Sequence, residues 1–94
     1  MLFAGIARFR PGAEAGREKA HEAFSDHIGQ PGLHVRLVGS LRDDDGARIG
    51  VLFFMEADSL DQVRRFVDSS PYTHAGLYGE IDINALDIEA GSLG

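Results

Sequence analysis

From Leu2 to Phe9 both alternating sets of positions are apolar, Leu2/Ala4/Ile6 and Phe3/Ala7/Phe9, which predicts a strand covered on two faces. Pro11-Gly12 marks a turn. Between Ala13 and Ile28 the apolar residues Ala20, Phe24 and Ile28 recur at steps of four among charged neighbours, the pattern of an amphipathic helix. Gly29 and Pro31 stand where a helix stop is expected. Leu33 to Leu41 alternates Leu33, Val35 and Leu37 with His34, Arg36 and Val38, a strand with one apolar face and one mixed face. "RDDDGAR" at 42–48 reads as a solvated turn, and "IGVLFFME" at 49–56 returns as the second strand of a hairpin.

Ser59-Leu60-Asp61-Gln62 fits a capping box, in which the serine hydroxyl and the glutamine side chain each satisfy a free amide at a helix start. Leu60, Val63 and Val67 follow at helical spacing with Phe66 beside them, and the helix should end near Asp68. Ser70-Pro71 is the N-cap and N1 pair of a further short helix. Gly79 to Ile88 sets Ile81, Ile83 and Ala85 against Glu80, Asp82 and Asn84, a strand with one wet face. The tail at 89–94 has little to bury.

The order is therefore βαββαβ, which in a chain of 94 residues predicts an α+β, ferredoxin-like antiparallel sheet with two helices on one face. One domain over residues 1–94 is expected. The first and third strands are apolar on both sides, so the second sheet face must also be hidden from water. A homodimer packed through that face, of the dimeric α+β-barrel kind, would hide it. It would also make a cleft between sheet, helix and partner.

Composition narrows the partners. The formal net charge of −6 offers no electrostatic footprint for nucleic acid or an anionic membrane. The chain holds no cysteine, which excludes disulfides, thiolate nucleophiles and zinc-thiolate sites. "MLFAGIARFR" lacks the basic leader, apolar run and cleavage site of a signal peptide, so a cytoplasmic location is the expectation.

His21 lies one turn after Arg17 and three residues before Phe24, placing all three along neighbouring stripes of the first helix. Such a histidine most often packs its ring and hydrogen-bonds a backbone carbonyl. Its sharper role is general acid or base, because imidazole titrates near neutrality. His27 is about 240° further round the helix, so the two histidines cannot form an i,i+4 metal pair. His34 and Arg36 share a strand face and could meet an anionic group. His74 reads as a surface turn residue, and Asp43 to Asp45 as a soluble turn. No cluster has metal-ligand spacing. Tyr72 and Tyr78 can each bury a ring while a hydroxyl reaches a polar cleft, although simple packing is the commoner role.

Four stretches carry a resemblance over nearly the whole chain: Arg17-x-x-x-His21, "LVGSL" at 37–41, "DGARIGVLFFMEADSLDQVRRFV" at 45–67, and "SPYTHAGLY" at 70–78. Together they resemble the YCII-related family, small dimeric α+β-barrel proteins related in fold to muconolactone isomerases and antibiotic-biosynthesis monooxygenases. The last stretch is the most specific, since the family's form there is Asp-Pro-Tyr or Asp-Pro-Phe, two variable residues, Ala-Gly and an aromatic position. The resemblance implies a His/Asp active-site pair, with the histidine at His21 and the aspartate before Pro71, where this chain has Ser70. A serine can cap the helix but cannot hold a charge beside an imidazole.

Three expectations follow from that resemblance. In the first the chain is an enzyme that removes halide or shifts a proton on a small hydroxylated ring compound, without a redox cofactor. His21 would move the proton, Ser70 and Tyr72 would orient substrate, and Arg36, His34 or Arg8 would meet negative charge. In the second it binds a small molecule without turnover. A helper domain serving larger enzymes is a third.

Overall fold

A computed structural model describes residues 1–31 and 34–93. The elements run β1 (Leu2–Phe9), α1 (Glu14–Ile28), β2 (His34–Arg42), β3 (Arg48–Glu56), α2 (Leu60–Asp68), α3 (Pro71–His74) and β4 (Tyr78–Ala85). The strands form one four-stranded sheet in the order β2-β3-β1-β4, with every pairing antiparallel. This is the α+β, ferredoxin-like arrangement that the alternation of patterns predicts. The expected start of β2 at Leu33 falls outside the described residues. β4 is shorter than the predicted 79–88, because pairing with β1 ends at Ala85 opposite Phe3, and Ile88 is exposed.

Both loops into the first hairpin and helix are set by local chemistry. Arg10-Pro11-Gly12-Ala13 closes with Ala13 N–H donating to the Arg10 carbonyl, and Gly12 takes φ +79°, as the third position of a type II turn requires. In the "DDD" turn, Asp43 Oδ1 accepts from the amides of Asp45 (2.9 Å) and Ala47 (3.0 Å), so that carboxylate is spent on the turn. At α2, Ser59 Oγ accepts from Gln62 N–H at 3.2 Å. The Gln62 side chain reaches the Asp58 amide (2.8 Å), one residue before the position that a capping box specifies.

The helix-covered face of the sheet is built from Phe3 and Ala7 of β1 and Val51, Phe53 and Met55 of β3. α2 adds Val63, Phe66 and Val67, all buried. His27 is part of this interior. Its Nε2 lies 2.8 Å from the Phe66 carbonyl, and its ring stacks on Phe66 with centroids 4.7 Å apart. The sealed, carbonyl-bonded role expected of an ordinary border histidine thus belongs to His27.

The opposite face carries Leu2, Ala4 and Ile6 of β1 and Leu52 and Phe54 of β3, all only partly covered. β2 departs from simple alternation. Val35 pairs with Met55 but Leu37 with Phe54, so Arg36 is an extra residue, a bulge. Beyond it the faces exchange. Val35 and Val38 both meet the core, whereas Leu37 joins the open face, 42% exposed. The predicted division of Leu33, Val35 and Leu37 from His34, Arg36 and Val38 is corrected accordingly.

Gly5 sits opposite Phe53, and a Cβ at Gly5 would overlap the Phe53 ring. That ring is buried and cannot swing away. A Gly5→Ala variant should therefore lose about 1–3 kcal/mol of stability, seen as a lower urea midpoint at unchanged m-value. An unaltered midpoint would contradict this packing.

Candidate active site

The residues of "SSPYTHAGLY" are absorbed one by one into a locked corner between α2 and β4. Ser69 Oγ donates to the Arg65 carbonyl at 2.8 Å, closing α2. Ser70 is extended (φ −64°, ψ 139°), and its Oγ accepts from Tyr72 N–H at 3.2 Å, with Pro71 at N1 where no amide hydrogen is needed. Thr73 Oγ1 donates back to the Val67 carbonyl at 2.6 Å. Gly76, at φ +70°, then turns the chain into β4.

This corner drives the Tyr72 ring inward, where it is 2% exposed. The ring stacks face to face on Phe24 of α1, with centroids 4.1 Å apart and planes at 6°. It meets Phe9 and Tyr78 edge-on, at 5.6 and 6.0 Å. Such aromatic pairs stabilise beyond their buried area. Its hydroxyl lies 3.3 Å from His21 Nδ1.

His21 and Tyr72 stand in the wall of a cleft of about 470 Å³ between α1 and the sheet. Phe24 and Ile28 of α1 and Val38 and Val51 of the sheet give it an apolar floor, and Arg17, Glu18, Ser40 and Arg48 supply polar groups. The volume suits a small ring compound. Arg17 is 7% exposed. Its Nη2 donates to Glu14 Oε1 at 2.8 Å.

The charges act on one another across the cleft. The hydrogen bond from Arg17 holds the Glu14 carboxyl below its usual range, and the same bond raises Arg17 further. Burial pushes the Tyr72 phenol up, with the neighbouring Arg17 guanidinium pulling the other way. Burial pushes Tyr78 up more strongly, opposed by the Ser70 hydroxyl.

The structure brings together only some of the residues singled out in the sequence. His21 and Tyr72 share the cleft. Ser70 is buried behind Tyr72, beside an interior void of about 20 Å³ that His27 and Tyr78 also line. Arg36 lies on the open face, its Nη1 3.7 Å from Glu56, and His34 pairs with that same Glu56. Arg8 follows the open-face alternation of β1 and is exposed. None of these three lines the cleft within one copy. His74 is exposed on α3. Among the described residues, no three His, Asp or Glu side chains group as metal ligands, and no helix is long and apolar enough to cross a membrane.

Arg17 and Arg48 were not marked as site residues by the sequence pattern. Arg17 could have been found, since it is one turn from His21. Arg48 sits in a charged turn, and only the hairpin register turns it toward the cleft.

Sheet order, helix placement and the α1-facing cleft define an α+β, ferredoxin-like protein of the class that includes the dimeric α+β barrels. The chain belongs to the YCII-related domain family, which matches residues 1–87. It is similar in structure to 5-chloro-2-hydroxyhydroquinone dehydrochlorinase of Burkholderia phenoliruptrix AC1100, solved in complex with 2,5-dihydroxybenzoquinone. That match has a TM-score of 0.83 and 27% identity, over 93% of this chain and 94% of the other. Two further structures share the fold. Rv0793 of Mycobacterium tuberculosis has a TM-score of 0.62 and 19% identity, over 97% of this chain and all of that one. A protein of Chloroflexus aurantiacus described as an antibiotic biosynthesis monooxygenase has 0.51 and 12%, over the whole of both chains. No curated protein sequence matches significantly.

The tyrosines make stability fall at high pH. Both phenols hold their protons in the fold beyond about pH 10, where tyrosine in an unfolded chain ionises. Their contribution is complete below that pH and is lost as pH rises toward the folded-state values. The urea midpoint should therefore drop between pH 8 and pH 11. Tyr78→Phe should flatten the drop while costing no more than about 1 kcal/mol at pH 8 for the lost hydroxyl. An equal drop in both proteins would contradict the burial of the Tyr78 phenol.

Proposed function

We propose that the chain is an enzyme that moves a proton on a small hydroxylated ring compound, by halide elimination or by isomerisation, with His21 as the acid/base group. The observation that carries this is the contact of His21 Nδ1 with Tyr72 Oη at 3.3 Å in the wall of the cleft. With Nδ1–H donating to Oη, the Nε2 lone pair is free to take a substrate proton. Tyr72 keeps its own proton near neutral pH, because burial raises its phenol, so it orients the imidazole without competing as a base. Ser70 acts through Tyr72, by capping the turn that carries the ring.

Both reaction types need a group that accepts a proton from one substrate atom and returns it to another. Loss of hydrogen chloride adds the departure of chloride with the C–Cl electron pair and the release of a second hydroxyl proton to solvent, which leaves a neutral quinone. No electron enters or leaves, so the chemistry asks for no redox cofactor. The likeness to a dehydrochlorinase at 27% identity supports a halogenated hydroxyquinol as the first substrate to try. Negative charge developing on the ring would meet Arg17 and Arg48, which line the cleft.

In this reading the protein is cytoplasmic and works as a homodimer. The half-covered apolar residues of the open face, with Leu37 at 42% exposed, are what a second copy would bury. His34, Arg36 and Arg8 then belong to that interface and not to substrate within one copy. Light scattering at micromolar concentration should give the mass of two chains, and a monomer would contradict the dimer.

A binder without turnover is the second reading, favoured by one observation. Ser70 is buried and engaged as a cap, so position 70 brings no carboxylate to support an imidazolium. Chloride release from 5-chloro-2-hydroxyhydroquinone separates the readings. The enzyme should release chloride, and His21→Ala should slow release about 10²–10⁴-fold. Binding of 2,5-dihydroxybenzoquinone with no chloride release would remove halide elimination and favour the binder. Release undiminished in His21→Ala would remove His21 from the chemistry.

A further inference from the structure

The Arg17 guanidinium is nearly covered by protein yet borders the cleft. Its carboxylate partner among the described residues, Glu14, is the first residue of α1, an i,i+3 neighbour whose side chain is 57% exposed. Nη2 reaches Oε1 at 2.8 Å, whereas Nε reaches Oε2 only at 3.5 Å, so one strand of the fork is well made and the other loose. A second cation, Arg48, lines the cleft from the sheet side, and among the described lining residues Glu18 alone carries a carboxylate. We infer that Arg17 is the anion-recognition group of the cleft and that Glu14 is its exchangeable resting counter-ion, displaced when an ionised oxygen of the ligand enters.

The two partners of this ion pair sit in unequal environments. A guanidinium taken out of water must keep an anionic partner. A carboxylate that is mostly in water loses little when it lets go, because such pairs are screened and weak. A ligand oxygen inside the cleft is shielded by Tyr72, Phe24 and Val51, so its attraction to the same guanidinium is less screened. Exchange therefore favours the ligand, and Glu14 returns to solvent. Two consequences follow. The site selects ionised ring compounds over neutral ones of equal size. Glu14 also competes with the ligand, so removing its charge tightens binding.

This rests on the cleft being the ligand site proposed above, and the experiment separates the two. Calorimetry on the full chain would compare 2,5-dihydroxybenzoquinone, ionised at neutral pH, with uncharged 2,5-dimethylbenzoquinone. The proteins are wild type, Glu14→Gln and Arg17→Gln. The ionised ring should bind more tightly to wild type. Glu14→Gln should strengthen its binding about two- to fivefold and leave the neutral ring unchanged, and Arg17→Gln should weaken the ionised ring about tenfold or more. Glu14 is exposed, so Glu14→Gln remains a folded test even if Arg17→Gln does not fold. Equal binding of the two rings, or Glu14→Gln leaving the ionised ring unchanged or weaker, would overturn the exchange while the cleft stands. Binding of neither ring would overturn both.

Discussion

The face-to-face stack of Tyr72 on Phe24 is the contact on which the site depends. It joins the short turn α3 to the long helix α1, and it is made possible by a serine hydroxyl. The Ser70 cap fixes the direction in which α3 starts, so the side chain at N2 points inward and not into solvent. Thr73 and Ser69 tie the same turn back to the end of α2. The ring is then held by Phe24, Phe9 and Tyr78. A hydroxyl on so immobile a ring gives His21 one fixed partner, at a place where a solvent-facing helix residue would otherwise sample several rotamers.

Most of the fold could be read from periodicity, because each element keeps a single period for most of its length. The failures are local and share a cause. The bulge at Arg36 inserts one residue into β2, and with a period of two a one-residue insertion exchanges the faces downstream. Val38 thereby enters the core and Leu37 leaves it. Nothing in "HVRLVGSL" announces the insertion, since Val and Leu suit either face. β4 likewise carries an apolar pattern past the point where β1 stops offering a partner.

The site was legible in its family signature more than in its geometry. His21 and Tyr72 were recognisable, but position 70 looked like the residue delivered to the cleft, and in space it is the foundation beneath Tyr72. Where the family pattern has an aspartate, this chain has a hydroxyl that caps a helix by accepting from the Tyr72 backbone amide. Arg36, His34 and Arg8 were plausible anion partners by charge alone. Sheet geometry puts them across from the cleft, and the positive charge that borders it comes instead from Arg17 and Arg48. Charge is visible in a sequence, but the face that presents it depends on register.

The site is organised by a hydrogen bond between Tyr72 and His21, and ring nitrogen resonances report such a bond directly. Imidazole ¹⁵N spectra should be recorded on the wild type and on Tyr72→Phe, with backbone amide spectra showing that the fold is kept. His21 in the wild type should favour the Nδ1–H tautomer, and its Nδ1 signal should move toward the Nε2–H form preferred by free histidine when the hydroxyl is removed. The His27 signals, held by the Phe66 carbonyl, should stay in place. Identical His21 signals in the two proteins would contradict this role, because Tyr72 would then not be what orients the histidine.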